Sequence, residues 1–142
     1  MTTVQRPTAA FVGASWGALL IGGAAFLYGL WNAQLQLNEK GYYLSLLLYG
    51  LFAAMSLQKS VRDRSEGIPV TGLYFALCWF SLFAVIAMLT VGLFNATLAP
   101  SEKGFYAMSF VLSLFAVVAV QKNVRDLGAA DPKGQTPAFD HG

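Results

Sequence analysis

Residues 39–43 read Glu-Lys-Gly-Tyr-Tyr and residues 58–63 read Gln-Lys-Ser-Val-Arg-Asp. The chain writes both again, as Glu-Lys-Gly-Phe-Tyr at 102–106 and Gln-Lys-Asn-Val-Arg-Asp at 121–126. Between each pair of charged stretches lies an apolar run, 41–57 in the first copy. That pattern reads as one membrane span with both ends marked by charge. Aligned without a gap, residues 11–64 match residues 74–127 at about 20 of 54 positions. A self-match at a fixed offset is the signature of an internal structural repeat. Trp16/Trp79, Gly29/Gly92, Asn32/Asn95 and Phe52/Phe115 are among the identical pairs.

Each copy holds two apolar runs, so the expected fold is all-α: four transmembrane helices forming two helical hairpin repeats. An even number of spans per copy makes both copies enter the membrane from the same side. They are therefore parallel repeats about an axis along the membrane normal. Composition agrees. Of 142 residues, 56% are hydrophobic and 11% charged, against about 25% charged in a typical soluble domain. A globule this small cannot bury so much apolar surface, whereas lipid solvates it.

Residues 1–10 form a short N-terminal lead, 11–64 the first two-helix repeat, 65–73 a linker, 74–127 the second repeat and 128–142 a tail expected to be disordered. The run from Phe11 to Trp31 carries no charge. It exceeds the roughly 7–15 residues of a signal-peptide core and reads as a retained span. Small residues recur along it at Gly13, Gly17, Ala25, Gly29 and Ala33, with Ala14, Ala18 and Gly22 in a neighbouring row. Such stripes let helix backbones approach closely in lipid. Asn38 is expected to cap the second helix; in the second copy Pro100 is expected to end the third helix and Ser101 to cap the fourth. Gly128 is expected to stop the fourth helix. Arg6, Lys59, Arg62, Arg64, Lys122, Arg125 and Lys133 fall on one side, and only Lys40 and Lys103 on the other. The positive-inside rule makes the first side cytoplasmic, with both termini, the lead and the linker there.

The doubled pattern resembles the bacterial YiaA/YiaB family of inner-membrane proteins, on three motifs. These are GLxNA at 29–33 and 92–96, EKGxY at 39–43 and 102–106, and QKxVRD at 58–63 and 121–126. The resemblance covers about residues 11–127. It implies two copies of the family's two-helix domain and a place in the bacterial inner membrane. It implies no reaction.

Candidate chemistry is sparse. In a closed hairpin Asn32 lies level with Tyr43, and Asn95 with Tyr106. An amide inside the membrane needs a partner, at a cost of a few kcal/mol without one. Asn32, Asn95, Tyr43 and Tyr106 are therefore candidates for interhelical packing or for a polar gate on the pseudo-axis. The close association of helices 1 and 3 at the centre follows from that pairing. Lys59, Arg62, Lys122 and Arg125 are candidates for contact with anionic lipid or a partner, each basic residue near a charged surface contributing about 1 kcal/mol. Trp16 and Trp79 fit interface anchors. With one cysteine, Cys78, and one histidine, His141, no disulfide, metal site, cofactor site or catalytic set is expected. The expected partners are the bilayer, then a second copy or another membrane protein. A formal charge of +2 gives no reason to expect nucleic acid. The two functional readings are a non-enzymatic structural or accessory membrane protein and a small oligomeric transporter or channel with its polar site at Asn32 and Asn95.

Overall fold

The computed structural model describes residues 6–130, which form four helices: α1 (Ala9–Asn32), α2 (Leu37–Ser65), α3 (Gly72–Asn95) and α4 (Pro100–Ala130). All four are long and apolar enough to cross a membrane. At 1.5 Å per residue, the 24 residues of α1 span about 36 Å, enough for a hydrocarbon core of about 30 Å. The tail expected to be disordered, with Lys133 and His141, falls largely beyond residue 130, outside the described residues. The part that is described continues the helix through Gly128 to Ala130. The expected stop at Gly128 needs a left-handed backbone there, and Gly67 is the one described glycine with positive φ.

Short-range chemistry sets each helix end. Thr8 and its repeat equivalent Thr71 cap α1 and α3, accepting the amides of Phe11 and Tyr74 at 3.1 and 3.2 Å. The caps of α2 and α4 differ from those expected at Asn38 and Ser101. Gln36 and Ala99 occupy the cap positions, because Glu39 and Glu102, three residues on, turn back to accept their amides at 3.1 and 3.0 Å. This is the carboxylate half of a capping box, and Pro100 at the first helical position suits it. Lys40 then donates to the Trp31 carbonyl, and Lys103 to the Phe94 carbonyl, at 3.1 and 3.4 Å. Those carbonyls belong to the last turns of α1 and α3, so Glu-Lys closes both sides of each turn. At the opposite end α2 stops on a Schellman turn. Ile68 donates to the Asp63 carbonyl at 2.8 Å and Gly67 to that of Arg64 at 3.2 Å. Gly67 takes φ +78° there.

The hairpins are open rather than closed. α1 lies along α4 of the other repeat, α3 lies along α2, and α2 packs against α4 at the centre. The order across the bundle is α1–α4–α2–α3. α1 meets its own α2 only slightly, and α1 and α3 do not touch. This corrects the expected centre of α1 and α3. The core gathers Phe26, Leu30, Tyr43, Leu46, Leu47, Val85, Leu89, Tyr106, Phe110 and Leu114. These positions fill the α1/α4, α2/α4 and α2/α3 seams.

Glycines mark the close crossings. A Cβ on Gly22 would stand 2.8 Å from Ser113 Oγ and 3.1 Å from its backbone nitrogen. A Cβ on Gly29 would meet Phe105 at 2.9 Å, and one on Gly92 would meet Tyr42 at 2.8 Å. The small stripe is therefore used in part. Gly22 and Gly29 face α4, whereas nothing lies within 4 Å of a Cβ on Gly13 or Gly17.

Candidate functional site

The residues singled out from the sequence fall at the two ends of the bundle. At the turn end, Tyr43 and Tyr106 stack across the α2/α4 seam, ring centroids 6.4 Å apart and planes at 15°. Each is 4% exposed. Phe26 packs edge-on against Tyr106 at 5.6 Å, so an aromatic layer closes the bundle's centre. Asn32 and Asn95 stand outside it and are exposed. Each donates to the carbonyl four residues back, Tyr28 at 2.9 Å and Val91 at 2.8 Å. No hydrogen bond joins Asn32 to Tyr43 or Asn95 to Tyr106. The open hairpins explain this: each asparagine's helix packs on the other repeat.

Asn95 shares a polar recess of about 370 Å³ with Asn38, Glu39, Tyr42, Tyr43, Gly92 and Ala96, between the start of α2 and the end of α3. Tyr42 donates to the Met88 carbonyl at 2.7 Å, which pins its ring over Gly92. The other repeat has Phe105 in place of Tyr42 and cannot make that bond.

At the tail end the Gln-Lys-x-Val-Arg-Asp motifs meet. Arg62 reaches Asp126 across the α2/α4 seam, and Arg125 reaches Asp63 at 2.6 Å. Lys59 and Lys122 hold the same two carboxylates along their own helices, at 2.9 and 2.8 Å. Glu66, whose repeat position is Ala129, accepts from both arginines, from Arg62 at 2.7 Å and Arg125 at 2.9 Å. Asp63 and Asp126 are buried. The four basic candidates are thus paired within the chain, in a reciprocal clasp between repeats.

Beyond the apolar run, Lys59 and then Arg125 hold the Asp63 carboxyl below its ordinary range, against the upward pull of burial. The Arg62 and Arg125 guanidiniums do the same to Glu66. A carboxylate with a lowered folded pKa contributes stability that is fully present above its unfolded value, near 4, and is lost as pH falls through the folded value. Denaturation midpoints in SDS are therefore expected to stay flat from pH 7 to 5 and to fall below about pH 4. Asp63→Asn should flatten part of that acid limb.

One turn inward, the x of each motif packs on the first helix of the other repeat. Asn123 donates to Ser15 Oγ at 3.1 Å, and Ser60 Oγ lies 3.5 Å from Cys78 Sγ. Asn123 Oδ1 is buried without a partner among the described residues. Ser60→Cys therefore sets two thiols side by side. Mild oxidation is expected to join them, so that chain cut between α2 and α3, within 66–71, still runs as one band without reductant. Trp16 and Trp79 are part-exposed, at 45% and 39%, as belt residues are. Trp79 stacks on Phe83 with centroids 5.8 Å apart, and Arg64 lies over the Phe75 ring at 4.4 Å.

Sequence reading missed Glu66, the Ser15–Asn123 contact and the Gly22/Ser113 crossing. A signal for the clasp was present. Arg and Asp are adjacent in each motif, and neighbours along a helix do not face each other. Two such dipeptides related by a twofold pair reciprocally. Among the described residues no three His, Cys, Asp or Glu gather as metal ligands would.

The profile of the yiaA/B two-helix domain matches residues 11–63 and again 74–126. An inner membrane protein, YiaA, of Escherichia coli (strain K12) is 56% identical over 124 residues, covering 87% of this chain and 86% of its own length. The inner membrane protein YiaB of the same organism is 27% identical over 97 residues, 68% of this chain and 81% of its own. The membrane protein YubF of Bacillus subtilis (strain 168) is 38% identical over 63 residues, 44% of this chain and 72% of its own. No solved structure matches. With both repeats matched and their helices apolar enough to span a bilayer, the chain is a membrane protein of the YiaA/B two-helix-domain family.

Proposed function

We propose that the chain is a non-enzymatic structural or accessory protein of the bacterial inner membrane, with both termini in the cytoplasm. The observation that carries this reading is where the repeated charges go. Glu39, Lys40, Glu102 and Lys103 close helix turns, and Lys59, Arg62, Asp63 and their equivalents close the clasp. Between the two ends the core is close-packed, with Phe26 and Val85 fully buried. The apolar runs carry no acidic residue, which cation- and proton-coupled transporters use inside the membrane. The cytoplasmic placement of the termini rests on the Lys and Arg bias, and the inner membrane on the named relatives YiaA and YiaB.

The transporter reading draws on the recess at Asn95. That recess does not include Asn32, and the Tyr43–Tyr106 layer closes the centre beside it. The test is uptake by vesicles carrying the purified chain, scored against empty vesicles with amines, cations and small metabolites. Uptake at the level of empty vesicles is expected. Saturable uptake that Asn95→Ala abolishes would overturn the proposal in favour of a transporter.

A further inference from the structure

The recess between the start of α2 and the end of α3 is an acceptor-rich site. Its polar lining is Asn38, Glu39, Tyr42, Tyr43 and Asn95, with no lysine or arginine. Glu39 uses one carboxylate oxygen on the Gln36 amide, and the other has no partner among the described residues. Tyr43 is 96% buried, since 4% of it is exposed. Its hydroxyl lines the recess, 3.2 Å from where a Cβ on Gly92 would stand. That hydroxyl makes no hydrogen bond among the described residues and is open to the recess. The Tyr42 and Tyr43 rings meet edge-on at 5.2 Å. Asn95 is the last residue of α3, at the end where Lys103 donates to the Phe94 carbonyl.

A carboxylate, a spare hydroxyl and an amide oxygen favour a cation that donates hydrogen bonds. An alkylammonium has three N–H donors. The recess lies two or three residues from the start of the apolar run at Gly41, at the level of lipid headgroups. We propose that this recess binds a primary ammonium group, carried by an aminophospholipid headgroup or by a free amine. In the other repeat Phe105 replaces Tyr42 and lacks the hydroxyl that holds this wall in place.

The test uses the full chain in mild detergent with phosphatidylethanolamine or phosphatidylglycerol, read by native mass spectrometry. Retention of one phosphatidylethanolamine, about ten-fold over phosphatidylglycerol, is expected for a charge-assisted site. Glu39→Gln keeps an oxygen for the Gln36 amide but loses the charge, and should bring the ratio near unity. Tyr43→Phe should lower it about three-fold, and stands alone if Glu39→Gln fails to fold. Excess free ethanolamine separates the sources: displacement of the lipid assigns the site to the amine itself, and persistence assigns it to the whole headgroup. Equal retention of the two lipids with no thermal shift from ethanolamine would overturn the proposal. So would unchanged preference in both variants.

Discussion

Arg62→Asp is expected to weaken the folded chain by about 2 kcal/mol, and Arg62→Asp with Asp126→Arg to recover at least half of that loss. The single change sets a third carboxylate among Asp126 and Glu66, where a guanidinium now joins them. Asp126 is buried and loses its cross-repeat partner, which is the costly way to break an ion pair. Arg62 keeps about a fifth of its side chain exposed, so screening holds the loss below the 3–5 kcal/mol of a fully buried pair. The swap restores opposite charge across the seam. It also leaves Lys122 without its acceptor and beside the introduced guanidinium, so recovery is partial. SDS titration of the four variants in a double-mutant cycle measures the coupling. A coupling near zero would mean that the two side chains act independently and that the clasp contributes nothing.

The second large effect concerns the α1/α4 crossing. Gly22→Val is expected to cost about 2–3 kcal/mol, the upper end for overpacking. The new side chain would collide with the Ser113 backbone as well as its hydroxyl, and backbone cannot rotate aside. Adding Ser113→Gly should return more than half of the loss. The chain itself supplies the reason: the repeat equivalents of Gly22 and Ser113 are Val85 and Gly50. In one half the bulk sits on the fourth helix, and in the other on the third. Val85 is fully buried and Gly50 is buried too, so the double variant carries the size pattern of the other half. Strictly additive losses would show that the two positions do not share a seam.

Much of the architecture was legible because it is local. The four apolar spans and the positions of the charged turns between them follow from charge and length, whereas the caps do not: Glu39 and Glu102 reach back to Gln36 and Ala99 in place of capping at Asn38 and Ser101. Which helix packs on which was not legible, for a reason specific to repeats. α2 and α4 carry the same motif at the same positions, so α1 meets an acceptable face on either one. Connectivity favours α2, whereas the Gly29/Phe105 and Gly22/Ser113 crossings and the Ser15–Asn123 contact belong to α4. The paired asparagines misled because they were read inside closed hairpins. At helix ends on the outer flanks they are satisfied by their own backbones. Arg62-Asp63 and Arg125-Asp126 carried a signal that was read as contact with lipid or a partner: adjacent opposite charges cannot pair with each other along a helix, and here they pair across the repeats as well as with Lys59, Lys122 and Glu66 along it.

The recess at Glu39 and Tyr43 was partly legible too. Tyr43 and Asn95 stood out as polar residues in apolar surroundings, but their meeting depends on α3 lying along α2. Neither motif alone places them together. The two copies differ at its wall, because position 42 is Tyr and position 105 is Phe.

The interlocking of the two repeats is tested most directly by cysteine cross-linking in native membranes. The chain carries Ser15→Cys, Asn123→Cys and Cys78→Ser, against a control carrying Asn32→Cys, Asn95→Cys and Cys78→Ser. Ser15 and Asn123 touch at 3.1 Å, whereas α1 and α3 do not meet. Mild oxidation should give a monomeric disulfide between positions 15 and 123 and none between 32 and 95. A monomeric disulfide between 32 and 95, with 15 and 123 left as free thiols, would contradict the interlocked bundle.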